Sequence, residues 1–139
     1  MIDEIHVSVC SDADIVTARQ KGRALASELG FSTIDLAIVA TAISELARNM
    51  VLYAGPGEIV LSVAVNDRGR RGIVVVARDD GPGIQDVNRA MQSGYSTSGG
   101  LGLGLPGVRR LMDEFQIVSQ AGKGTIVTAK KWIQSNAAG

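Results

Sequence analysis

Apolar residues change their period several times along this chain, and each change marks an element. Ile5, Val7 and Val9 alternate with polar neighbours, the mark of a half-buried strand. Ser11 followed three residues later by Asp14 is a helix start of the capping type, predicting a helix to about Leu29 with Gly30 as its stop. Ser32 and Asp35 repeat that signal for a second helix ending near Ala54, where Gly55, Pro56 and Gly57 break it. Ile59, Leu61, Val63 and Val65 alternate as a strand with one wet face. After a polar turn over 66–72, the continuous apolar run 73–77 predicts the second arm of a hairpin, central and covered on both sides. One or two helical turns are expected over 85–91, a flexible loop over 93–100, and a helix over 103–114 with Pro106 in its first turn. Phe115, Ile117 and Ser119 begin another strand, and 125–132 is the last before a tail from Gln134 that should fray.

Hairpin-paired strands with three substantial helices predict an α+β two-layer sandwich rather than a doubly wound sheet. No repeat, linker or break in composition divides residues 1–139, so a single domain is expected. Fourteen basic residues balance 14 acidic ones, without the basic excess that nucleic-acid binding calls for. The lone Cys10 allows no internal disulfide framework and agrees with a reducing compartment. No apolar run is read as approaching a membrane span, and the N-terminus has no signal-peptide pattern. A soluble, cytoplasmic protein with no membrane or nucleic-acid partner is expected.

Glycine changes the picture. Ten of the 17 glycines fall between positions 81 and 124. Glycine costs backbone entropy unless the chain needs positive φ or a close backbone approach, so this half reads as built around a ligand. Four groups of residues could carry chemistry. Glu45 and Asn49, at i and i+4, point the same way from the second helix. Their face lies about opposite the stripe of Leu36, Val39, Ala40, Ile43, Ala47 and Met50, yet also carries Ile38, Ala42 and Leu52. A carboxylate and a carboxamide on such a face need partners, although a surface Glu with a tolerated Asn fits the same pattern. Asp79-Asp80-Gly81-Pro82-Gly83 follows the most apolar strand. There a carboxylate can accept a hydrogen bond from an amino group in a pocket, although the segment is equally good turn chemistry. The glycines from Gly99 through Gly100, Gly102 and Gly104 enter a helix, where exposed N–H groups favour phosphate. That loop is neither a Walker A nor a Rossmann loop, and a glycine hinge is the alternative. Gly122-Lys123-Gly124-Thr125 also suits a hairpin turn.

In their order and spacing these four groups resemble the N, G1, G2 and G3 boxes of the GHKL (Bergerat-fold) superfamily, over about the whole chain. Thr17-Ala18-Arg19-Gln20-Lys21-Gly22 and Ala42-Ile43-Ser44-Glu45-Leu46-Ala47-Arg48-Asn49 resemble most the bacterial anti-sigma-factor and stressosome switch serine kinases. The resemblance implies an antiparallel sheet with helices on one face, and ATP between the second helix and the G1 and G2 elements. It implies that Asn49 coordinates Mg²⁺ bridging the phosphates and that Glu45 is the general base for the incoming hydroxyl. Asp79 would accept the adenine amino group in a pocket shaped by Gly81 and Gly83. Gly100, Gly102 and Gly104 would cradle phosphate, and Thr125 would support the adenine side. The stretch 93–98 falls where the superfamily has its ATP lid.

The only histidine, His6, lies on a strand without a phospho-acceptor helix, which disfavours a histidine kinase core. The resemblance implies instead a protein serine/threonine kinase whose substrates are STAS-domain antagonists of a stressosome, and which afterwards activates a downstream phosphatase. The alternatives are an anti-sigma factor kinase that sequesters a sigma subunit, and a non-catalytic adapter governed by nucleotide state. Intact Glu45 and Asn49 favour a working kinase.

Overall fold

The computed structural model describes residues 4–83, 91 and 104–134. Strand β1 (Ile5–Val9) leads into helix α1 (Asp12–Leu29) and helix α2 (Thr33–Asn49), whose end opens into a π turn (Met50–Ala54). Strands β2 (Gly57–Val65) and β3 (Arg71–Asp79) form the expected hairpin. Helix α3 (Gly104–Leu111) precedes β4 (Glu114–Gln120) and β5 (Gly124–Trp132).

The helix boundaries follow from local chemistry. Asp14 Oδ2 accepts from the Cys10 and Ser11 amides at 2.9 and 3.2 Å, satisfying donors that α1 leaves without helical partners. Gly30, at φ 95°, ends α1 with its N–H turned back to Ala26 and Ser27 carbonyls. Ser32 Oγ accepts from the Asp35 amide at 3.2 Å and starts α2.

All pairings in the five-stranded sheet are antiparallel, in the order β1-β2-β3-β5-β4. Helices α1 and α2 pack on one face, over Ile59, Leu61, Ile73 and Val75. Each such side chain, removed from water, contributes about 1.5–3 kcal/mol. This is the expected two-layer α+β sandwich. The central strand β3 is not covered on both sides as expected: Val74 and Val76 are half-buried and Arg78 is exposed. No helix among the described residues covers that face. The wet face expected of β2 is likewise only half wet, with Val60, Ser62 and Ala64 half-buried by cross-strand neighbours.

Helix α3 is shorter than the 103–114 predicted. The chain is captured by β5: Asp113 N–H donates to the Lys130 carbonyl at 2.9 Å, and Asp113 Oδ2 accepts from Trp132 N at 2.8 Å. Another correction concerns α2. With its π turn, Thr33–Tyr53 is long and apolar enough by composition to cross a membrane. In this fold it is the core helix, with Val39, Ile43 and Leu46 buried against its neighbours and a carboxylate, Glu45, on its second face. The turns expected over 85–90, the loop over 93–98, Gly100, Gly102 and the tail over 135–139 lie outside the described residues; Met91 is a buried turn residue.

Candidate functional site

One row of residues crosses the whole sheet at the end where β3 finishes: Val9, Gly57, Asp79, Thr125 and Ser119 stand opposite one another in turn. Along β3, Asp79 shares the helix-facing side with Ile73, Val75 and Ala77, because side chains alternate with period two. The carboxylate is therefore delivered by the strand itself into the layer that holds α2. It is 9% exposed. Its Oδ1 accepts from Gly81 N at 2.9 Å, the turn reading of this motif, while its Oδ2 takes no hydrogen bond from the described residues. One carboxylate oxygen of Asp79 thus fixes the loop, as the turn reading of this motif has it.

The neighbours of Asp79 explain two of the glycines. Gly83, at φ 75°, lies so close to the β4–β5 turn that a Cβ there would meet Gln120 O. Gly124, at φ 90°, packs on the Asp79 carbonyl. Gly122 N donates to Pro82 O at 2.6 Å and ties the two turns together. Thr125, half-buried, shares a 2.7 Å hydrogen bond with Ser119 Oγ. Asp79, Gly81, Gly83 and Thr125 are thus brought into one corner.

The second cluster sits on α2. Glu45 is 8% exposed, and its Oε2 accepts from Gly104 N, the first residue of α3, at 3.3 Å. The helix N-terminus that the sequence offered for phosphate thus holds a carboxylate here, as the partial positive charge of such a terminus favours. Glu45 Oε1 takes no hydrogen bond from the described residues. Asn49, half-buried, is one turn further on, at the last α-helical position before the backbone widens into the π turn. Such widenings are frequent at functional sites.

Met50 joins the clusters. It follows Asn49, and its Sδ occupies the space where a Cβ on Gly57 would be; Gly57 is in turn the cross-strand partner of Asp79. Sequence reasoning read Gly57 only as a helix breaker. Its place at the start of a strand was signalled by the alternation that begins at Ile59. Ser119 was expected only as a strand residue and Gln120 was not singled out; their contacts with Thr125 and Gly83 depend on register.

Among the described residues no three His, Cys, Asp or Glu side chains gather into a metal cage. The donors nonetheless suit Mg²⁺, a hard ion that takes one or two protein oxygens and completes its shell with waters and phosphates. The Asn49 carboxamide supplies such an oxygen. An open cavity of about 410 Å³, lined by Asn66, Asp67, Arg68, Glu114, Lys130 and Trp132 among others, lies at the opposite end of the sheet and shares no residue with these clusters.

Residues 10–131 match the histidine kinase-like ATPase domain. The chain is 55% identical over 134 residues to the serine/threonine-protein kinase RsbT of Bacillus subtilis, covering 96% of this chain and 100% of that one. It is 30% identical to the anti-sigma F factor of a Thermoanaerobacter species, over 86% of this chain and 85% of that one. Among solved structures, the catalytic domain of histidine kinase ThkA superposes with a TM-score of 0.56 at 12% identity, covering 93% of this chain and 96% of that one. The RsbU and RsbW domains of a Mycobacterium tuberculosis protein superpose with a TM-score of 0.60 at 21% identity, covering 94% of this chain and 32% of that one. The chain therefore belongs to the histidine kinase-like ATPase (GHKL) family, in its branch of ATP-using RsbT-type serine/threonine-protein kinases, whose relatives include anti-sigma factors.

Proposed function

We propose that this protein moves the γ-phosphoryl group of ATP to a serine or threonine of a STAS-domain antagonist in a bacterial stressosome pathway. On being released it would activate a downstream phosphatase. In this reading residues 1–139 act as one kinase domain in the cytoplasm.

The observation that carries the kinase reading is Glu45: a buried carboxylate one turn from Asn49, with one oxygen held by Gly104 N–H and the other without a hydrogen bond among the described residues. Oε1 takes the proton of the substrate hydroxyl as its oxygen attacks the γ-phosphorus. A new O–P bond forms, the bond from that phosphorus to the bridging oxygen breaks, and ADP leaves. Such a base typically contributes 10²–10⁴-fold. Positioning supplies much of the rest, since this reaction needs orientation more than covalent help. Asn49 would hold Mg²⁺, whose contribution when bound is to neutralise charge on the phosphates. Asp79 Oδ2 would accept from the adenine amino group, with Gly81, Gly83 and Thr125 shaping that side. Gly100, Gly102 and Gly104 would line the phosphates.

The test is radiolabelled Mg-ATP with purified STAS-domain proteins and, separately, sigma subunits, using the wild type, Glu45→Gln and Asn49→Ala. Acid-stable label on a STAS-domain serine or threonine, lost in both variants, is the expected result. Tight sigma binding without transfer would replace this reading with sequestration. Nucleotide-dependent partner binding without transfer or sigma capture would point to an adapter.

A further inference from the structure

Lys131 is a buried cation that phosphoryl transfer, as described, does not use. It is 7% exposed on β5, on the helix-facing side with Val127 and Ala129. Its Nζ stands 3.4 Å from the Leu111 carbonyl at the end of α3, 4.0 Å from Asp35 Oδ1 near the start of α2, and 3.9 Å from Asp113 Oδ1 after α3. Lysine is almost never this buried unless paired, and here its partners belong to different elements.

Those partners define a geometry. Asp35 lies ten residues before Glu45 on α2, about 15 Å along the axis. Helix α3 packs against α2 in the opposite direction: its last carbonyl is near Asp35 through Lys131, and its first amide is on Glu45. The eight-residue α3 is therefore held to α2 at both ends. The Gly104 tie is 3.3 Å, at the long end for an amide–carboxylate bond, so a small slide of α3 would break it.

We propose that Lys131 is a positioning residue for phosphoryl transfer, fixing α3 against α2 so that Gly104 N–H keeps the Glu45 carboxylate oriented. The inference rests on Glu45 being the general base. Misplacement of a reacting group by about 1 Å can cost 10²-fold in rate.

A plain loss of activity in Lys131→Met would not separate positioning from folding, because Asp35 and Asp113 would be left without their buried cation. The double variant Lys131→Met with Asp35→Asn removes part of that uncompensated charge. Lys131→Arg retains the cation. Melting temperature, kcat and KM for ATP are measured with a STAS-domain protein that the wild type phosphorylates, with Glu45→Gln alongside. The expected outcome is a kcat at least about tenfold below wild type in both Met variants, with KM for ATP within about threefold. The double variant regains melting temperature but not kcat, and Lys131→Arg restores most of the rate. Recovery of kcat in step with melting temperature in the double variant would reduce Lys131 to a folding residue and overturn the proposal, as would wild-type kcat in Lys131→Met. Full transfer by Glu45→Gln would instead overturn the base assignment itself. An inactive Glu45→Gln beside an unaffected Lys131→Met would overturn the Lys131 proposal alone.

Discussion

Gly124→Ala is a sharp test of how the corner around Asp79 is built, because Gly122 provides its internal control. Both glycines have positive φ, 90° at Gly124 and 79° at Gly122. Alanine in that region costs about 1–2 kcal/mol at either position. Only at Gly124 does the new Cβ meet anything: it would lie 2.1 Å from Asp79 O and 2.9 Å from Asp80 Cα, whereas Gly122 has open space. Ordinary contact begins at 3.4 Å, so β5 and the end of β3 must part by roughly 1.3 Å, in backbone that no rotamer change can relieve. Overpacking of this kind costs about 1–3 kcal/mol. Gly122→Ala should therefore lose about 1–2 kcal/mol and Gly124→Ala about 2–5 kcal/mol, within the 5–15 kcal/mol available to a domain. Urea unfolding with fitted midpoints and slopes measures the difference. Calorimetric titration should show ATP affinity nearly unchanged in Gly122→Ala and at least about tenfold weaker in Gly124→Ala, about 1.4 kcal/mol. Equal stability losses in the two variants, with equal ATP binding, would refute the close approach as the reason for glycine at this position.

Two further outcomes are expected. Asp79→Asn can keep its bond to Gly81 N through its remaining oxygen, but in the proposed site it would present an amide donor where the adenine amino group would need an acceptor. ATP should bind about 10–100-fold more weakly while stability changes by about 1 kcal/mol or less, and unchanged affinity by calorimetry would remove Asp79 from the adenine side. His6 Nδ1–H donates to Glu58 Oε2 at 3.0 Å and Nε2 lies 3.3 Å from Glu4 Oε1; chiefly the Glu58 hydrogen bond raises the pKa of His6 above the ordinary histidine value. A raised folded-state pKa gives stability that is present below the unfolded value and lost as pH rises through the folded one. His6→Gln should thus melt below wild type near pH 6 and level with it near pH 8.5, the gap narrowing in salt. Equal gaps at both pH values would show that the protonated pair contributes nothing.

Where the chain starts and stops its helices was readable because the signals are local. Ser11 with Asp14, Gly30, and Ser32 with Asp35 act within a few residues of themselves, and the backbone obeys them. The grouping of Asp79 with Thr125 was readable only through resemblance, since 46 positions separate them and hydrogen-bonded register brings them opposite. Lys131 shows what was passed over. Its i, i+2 relation to Val127 and Ala129 places it on the inner face, yet within the strand expected over 125–132 it was not singled out. Its partners Asp35, Leu111 and Asp113 belong to elements whose packing no local pattern encodes. The early end of α3 has the same origin: nothing between Arg110 and Glu114 stops a helix as strongly as pairing with β5 does.

The row from Val9 through Gly57, Asp79 and Thr125 to Ser119 draws one residue from each of the five strands. A corner built this way has no partial form. A one-residue slip of β3 would turn Asp79 to the opposite face, and a slip of β5 would move Thr125 and Gly124 away from it. With nucleotide bound at this corner as proposed, it would be a ligand of the finished topology alone, and at a hundred times its dissociation constant it would add about 2.7 kcal/mol to that topology and nothing to the others. The cell's ATP would thus act as a selector of strand register, rewarding one alignment of the sheet during folding as well as serving the reaction afterwards.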